Sequence, residues 1–125
     1  MNLLLDTHVL LWWLDDPELL SADARRAIAT GTNGVYVSAA AAWEIAIKKT
    51  LGRLEAPDDL ERVMAEERFL PLAIGVAHAL AVSSLPPIHQ DPFDRIQVAQ
   101  AQLENLTLVT RDAIIPRYDV PVLVG

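Results

Sequence analysis

Asn2-Leu3-Leu4-Leu5-Asp6-Thr7 decides the fold. The apolar run Asn2–Leu5 has no in/out alternation, so it suits a short strand buried on both faces. It ends on a carboxylate, Asp6, and passes at once into a helix over Thr7–Leu14. There Val9, Leu10, Trp12, Trp13 and Leu14 crowd the apolar faces, and Asp15-Asp16-Pro17 stops the helix. Strand then helix recurs along the chain. Ser21 is an N-cap for a helix over Ala22–Ala29. Gly34–Val37 is a second strand, and Ser38 caps a helix to about Leu51 with Gly52 as its stop. Pro57-Asp58-Asp59 opens a helix through Glu67, Phe69–Ala73 is a short strand, and Val76–Leu85 is helical until Pro86-Pro87. Asp91-Pro92-Phe93-Asp94 places Asp at the N-cap, Pro at the first helical position and an acid in the first turn. That helix runs to about Asn105, Leu106–Thr110 is a strand, and Pro121–Val124 is a candidate for a last one. Strands alternating with helices mean an α/β fold with a mainly parallel sheet.

The chain has 125 residues, which predicts a single domain over 1–125. It has no cysteine, which removes disulfides, thiolate metal sites and a cysteine nucleophile. Hydrophobic residues are 52% and charged residues 22%, a composition that opposes disorder. Seventeen acids against ten bases give a formal charge of −7, which opposes coating of nucleic acid or membrane through a broad basic face. No run approaches the ~18 apolar residues of a spanning helix. The apolar N-terminus meets Asp6 without a preceding base, so a cytoplasmic protein is expected.

In an open parallel sheet, ligands bind beyond the C-terminal strand ends. Four acids map to that edge. Asp6 follows the first strand, Glu44 lies about two turns into the helix after the second, Asp94 sits in the first turn of its helix, and Asp112 lies two residues past Thr110. Each has a plainer reading: Asp6 as a turn residue, Glu44 as a partner of Lys48 at i+4, and Asp112 as a cap. Asp91 reads best as a helix cap, a role also open to Asp94. Converging carboxylates repel by ~4 kcal/mol per close pair at an effective dielectric near 20. Oxygen-rich sites of this kind suit Mg²⁺ or Mn²⁺, ions that support phosphodiester hydrolysis.

Leu3-Leu4-Leu5-Asp6-Thr7-His8, Val37-Ser38 through Trp43-Glu44 to Lys48, His89-Gln90-Asp91-Pro92-Phe93-Asp94-Arg95 and Leu108-Val109-Thr110-Arg111-Asp112 resemble the PIN-domain ribonucleases, most of all the VapC toxins of type II toxin–antitoxin systems. The resemblance covers nearly the whole chain, with the motifs in family order. It implies a PIN-like three-layer fold, with a mainly parallel five-stranded sheet of order 3-2-1-4-5 flanked by helices. It implies an endoribonuclease that needs Mg²⁺ or Mn²⁺ and leaves a 5′-phosphate and a 3′-hydroxyl. Carried over by position, Asp6, Glu44, Asp94 and Asp112 match the acidic metal-binding quartet. Thr110 matches a hydroxyl position near the metal, and Asp91 a supporting or capping residue. The chain departs from the pattern at Ala41, where relatives often place Ser or Thr. The resemblance further implies an RNA substrate, a cognate VapB-type antitoxin and a homodimer.

Lys48 and Lys49, with Arg53, form a small basic group at a helix end, and Arg95 and Arg111 each adjoin a quartet acid. Lys48, Lys49, Arg95 and Arg111 are candidates to contact RNA phosphate, against the plainer readings of helix-end complement and carboxylate pairing. His8, His78 and His89 form no metal-spacing motif and read as structural. Trp12, Trp13 and Trp43 read as core, although Trp12 and Trp13 cannot share one helix side, which leaves one for an exposed contact patch. A phosphoaspartyl hydrolase would need a second acid two residues after Asp6 and a lysine beyond a later strand. Position 8 is His, and Lys48 and Lys49 are the only lysines. A catalytically silent binding module of the same fold is the alternative.

Overall fold

In the computed structural model, which describes residues 1–125, five strands form one sheet. They are β1 (Asn2–Leu5), β2 (Gly34–Ser38), β3 (Leu70–Leu72), β4 (Thr107–Thr110) and β5 (Val122–Val124). All neighbours are parallel and the order is β3-β2-β1-β4-β5. The central strand explains its own composition. Leu3, Leu4 and Leu5 are fully buried, and each contributes about 1.5–3 kcal/mol of burial.

Leu3 and Leu5 join one core cluster, Leu4 the other. On the first face pack α1 (Thr7–Asp15), α2 (Ala22–Ala29), α3 (Ala39–Thr50) and α4 (Leu60–Glu66). On the second lies α6 (Pro92–Glu104), with α5 (Val76–Ala81) against it. The result is three layers: helix, sheet, helix.

Register sets the functional edge. Leu5 pairs with Val37 on one side and Val109 on the other. Asp6, Ser38 and Thr110 therefore emerge side by side at the C-terminal rim, and the Asp6 amide still donates to Val109 O at 3.1 Å. The caps expected from sequence form. Ser38 Oγ accepts from Ala40 N, Ser21 Oγ from Ala24 N, and one Asp91 oxygen from both Phe93 N and Asp94 N. Gly52, past the end of α3, has φ +70, a left-handed value that favours glycine.

Most strand and helix ends fall within a residue of the expected bounds, and three elements are clearly shorter. β3 is shorter than Phe69–Ala73, because Phe69 turns into the first core and Pro71 can donate no ladder bond on this edge strand. α4 begins at Leu60, where the Asp59 side chain caps Arg62 N. α5 ends at Ala81 and tightens to a 3₁₀ turn over Val82–Ser84 ahead of Pro86-Pro87.

Candidate metal centre

Asp6 is 5% exposed at the end of β1. One oxygen caps α1 by accepting from Val9 N at 2.8 Å, and the other accepts from the Thr110 hydroxyl. Burial pushes its carboxyl above the ordinary range, against the pull of those two hydrogen bonds. Asp94 projects from the first turn of α6, and Asp112 follows β4. Asp6, Asp94 and Asp112 meet in one cleft of about 280 Å³, whose other lining residues are His8, Trp12 and Arg111.

Burial and the neighbouring carboxylates of Asp91, Asp6 and Asp112 push Asp94 up to about 7, with His89 opposing. Asp112 moves the other way. Burial raises it, but the hydrogen bond from His89 and the backbone bonds from Ile114 and Ile115 outweigh that and hold it low.

His89 sits inside the site. Its Nε2 lies 2.9 Å from Asp112 Oδ2 and 3.1 Å from Asp94 Oδ2. Its Nδ1 accepts the Asp91 amide at 3.1 Å, which assigns the ring proton to Nε2, between the two carboxylates. Ligand atoms of His89, Asp94 and Asp112 all lie within 4.8 Å of one another. The structural reading of His89 from sequence is thus incomplete. The ring orders the loop before Asp91 and also bridges two acids.

Glu44 is brought near but not into the cleft lining. It is buried on α3, with one oxygen accepting from Thr7 Oγ1 at 2.6 Å and the other from Lys48 Nζ at 2.5 Å. The ion pair with Lys48, the plainer alternative, is therefore present, and it raises the lysine above its ordinary range. Thr7 ties Glu44 to the residue next to Asp6. Asp91 and Asp94 also act on Lys48 electrostatically. Thr7, missed from sequence, supplies a hydroxyl to Glu44 although Ala41 cannot.

The oxygen-rich donor set suits a hard divalent ion. So does its electrostatic state: buried carboxylates pushed upward gain from a cation that lets them ionise together.

Most of the candidate cations are committed elsewhere. Arg95 donates to the carbonyls of Val82, Pro86 and His89 and to the Tyr118 hydroxyl, so it braces the loop before α6. Lys49 bonds Ala56 O and Asp58. Arg111 lines the cleft while donating to Gly125 O and Leu19 O. One tryptophan expectation needs correction. Trp12 and Trp13 are half-buried against the first core, whereas Trp43 is 61% exposed and meets Phe93 edge-on at 5.3 Å. Ala40, Ala41, Glu44 and Ile45 are the buried residues of α3, which leaves the Trp43 side chain outside.

The family model "PIN domain" matches residues 3–121. No curated protein sequence matches the chain. Several solved structures share the fold. One described as VapBC2 from Rickettsia felis bound to a DNA fragment from their promoter has TM-score 0.75 and 13% identity, covering 98% of both chains. A toxin–antitoxin complex from Klebsiella pneumoniae has TM-score 0.67 and 21% identity, covering 97% of this chain and 95% of that one. FitAcB from Neisseria gonorrhoeae has TM-score 0.63 and 20% identity, covering 98% and 96%.

Proposed function

This chain belongs to the PIN-domain family, and from that premise we propose that it is the toxin of a type II toxin–antitoxin pair, a VapC-type endoribonuclease that needs Mg²⁺ or Mn²⁺. The observation that carries the reading is the meeting of Asp6, Asp94 and Asp112 in one cleft at the strand ends. Residues 1–125 form a single PIN domain in this reading. Asp6, Glu44, Asp94 and Asp112 are its metal-binding acids, supported by Thr110 and Asp91.

A divalent ion bound there neutralises phosphate charge and makes water a stronger nucleophile near neutral pH. The chain's own groups do the rest. Thr110 and Val9 N fix the Asp6 carboxylate in one orientation. Thr7 and Lys48 do the same for Glu44. Asp94, pushed up to about 7 by burial and the neighbouring carboxylates, would be brought into its ionised, ion-holding form by a bound cation. The Nε2–H of His89 bridges Asp112 and Asp94 and offsets their mutual repulsion, an effect a bound ion would add to.

The natural partner is a VapB-type antitoxin, and the protein acts in the cytoplasm as a homodimer. Two of the similar structures are described as complexes of this kind. Trp43 and Ile47 on α3 and Leu51 just past its end, spaced by four, leave an exposed apolar stripe suited to a protein contact. The decisive assay incubates the purified protein with RNA in Mn²⁺ and in chelator. Wild type should cleave only with the ion. Asp6→Asn should be inactive with unchanged circular dichroism. A fully active Asp6→Asn protein overturns the assignment, and a wild type that cleaves no RNA leaves the silent binding module.

A further inference from the structure

The acids of the strand-end site are not compensated alike, and the difference turns on Lys48. Among Asp6, Glu44, Asp94 and Asp112, only Glu44 forms an ion pair with a lysine or arginine. Lys48 Nζ lies 2.5 Å from Glu44 Oε2, one turn along α3, and Thr7 Oγ1 holds the other oxygen at 2.6 Å. Asp94 and Asp112 share the His89 ring, and Asp6 has the Thr110 hydroxyl and the Val9 amide. Lys49, the next residue, turns to Ala56 O and Asp58, and Arg111 donates to carbonyls. One fixed cation is therefore paired with the four acids, and it stands on the acid that does not line the cleft.

This pair differs from a surface contact. An i,i+4 pair with both partners in water is worth little. Here the Glu44 side chain is only 6% exposed, and Lys48 is its cation. A buried carboxylate stripped of its cation is costly to the fold. Asp91 and Asp94 add their charge to the hold on Lys48. One lone pair of each Glu44 oxygen is taken. Glu44 can still reach an ion held by the other acids, but it has no uncompensated charge with which to hold another. A second divalent ion beside Glu44 would also meet the ammonium at close range, and like charges repel.

We infer that Lys48 is the second cation of the site: its ammonium, held on Glu44, stands in for a second divalent ion, so the chain takes a single divalent ion, at Asp6, Asp94 and Asp112. This inference rests on the metal-dependent nuclease reading. Phosphodiester hydrolases that use two ions clamp the reacting phosphate between two positive centres. In this chain one of those centres is covalently part of α3. A lysine ammonium suits the place, being a compact point charge of the kind that binds phosphate.

The test counts Mn²⁺ bound to the full chain without RNA, from the loss of the free-ion signal in electron paramagnetic resonance, and then measures RNA cleavage. Wild type should bind about one ion per chain tightly, and Lys48→Met, which keeps the apolar stem and removes the charge, about two. Lys48→Arg keeps a charge and should stay at about one ion. Lys48→Met combined with Glu44→Gln should return to about one, which assigns the added ion to Glu44. Thermal melting in chelator should place Lys48→Met below wild type, with Mn²⁺ closing much of the gap. Lys48→Gln, neutral but still a hydrogen-bond donor, replaces Lys48→Met if that variant does not fold. Two ions in wild type or in Lys48→Arg, or a folded neutral variant that still binds one, overturns the inference and leaves the nuclease reading. One ion in wild type and two in the neutral variant, without cleavage of RNA by wild type, removes the nuclease reading and leaves the role of Lys48. A wild type that binds no ion removes both.

Discussion

Stability of the metal-free protein should fall as pH rises from about 5 to about 8, and Asp94 should be the main cause. Its carboxyl ionises near 3.8 in the unfolded chain and at about 7 in the fold, where burial and Asp91, Asp6 and Asp112 oppose the charge. The folded state therefore holds a proton that the unfolded state has lost, and stability declines through that window. Integrated between about pH 5 and about pH 8, such a group costs roughly 2–3 kcal/mol. Asp6, also pushed up by burial, adds to the decline. Asp112, held low, is ionised in both states above about pH 5 and contributes a constant there. Urea denaturation in chelator across this range measures the slope. Asp94→Asn should remove most of it. Mn²⁺ should stabilise more at the high-pH end, where its ligands are deprotonated, by about 2.7 kcal/mol at roughly 100 times its Kd. A metal-free protein whose stability is flat or rises over this window, or an Asp94→Asn variant that keeps the full slope, refutes the electrostatic account of the site.

Three further expectations concern residues around the site. Gln97 is buried on α6 with neither amide atom hydrogen-bonded, so Gln97→Met should stabilise by about 1–2 kcal/mol in denaturant titration. Arg95→Ala removes four hydrogen bonds that brace the loop before α6, and should cost about 2–4 kcal/mol and weaken Mn²⁺ binding in calorimetry by loosening His89 and Asp94. Trp43→Ser changes an exposed side chain, so thermal stability should move by no more than about 0.5 kcal/mol, while a co-expressed antitoxin should be retained less well on size exclusion.

What was legible in the sequence was local. Three consecutive leucines with no polar alternation suit a short strand covered on both faces, and Leu3, Leu4 and Leu5 form one. Helix starts were legible because a cap lies within three residues of the amides it satisfies, as at Ser21, Ser38 and Asp91. Strand order was not contained in the periodicity and came only with the family resemblance. The role of His89 depends on a contact with Asp112, twenty-three residues away, that exists only once the loop folds back over β4. Trp43 was misassigned because α3 is apolar on several sides, and hydrophobicity alone does not say which side meets the sheet. Arg95 adjoins Asp94 in sequence, yet its guanidinium turns the other way, to carbonyls whose positions no spacing rule predicts.

The acids at the strand ends differ in how far the chain has already compensated them, and this bears on where an ion gains most. Glu44 has both oxygens occupied, one by a hydroxyl and one by an ammonium. Asp91 is satisfied by two helix amides, and Asp112 by His89 and the Ile114 amide. Asp6 and Asp94 are the two pushed above the ordinary carboxylate range, and both line the same cleft. Their charge is costly to the bare fold and is the charge a divalent cation relieves. A formal charge of −7 becomes −5 or −3 with one or two such ions. In the proposed function, the acidity that opposes nucleic acid along a broad face serves, at this one cleft, to hold a cation that draws a phosphate in.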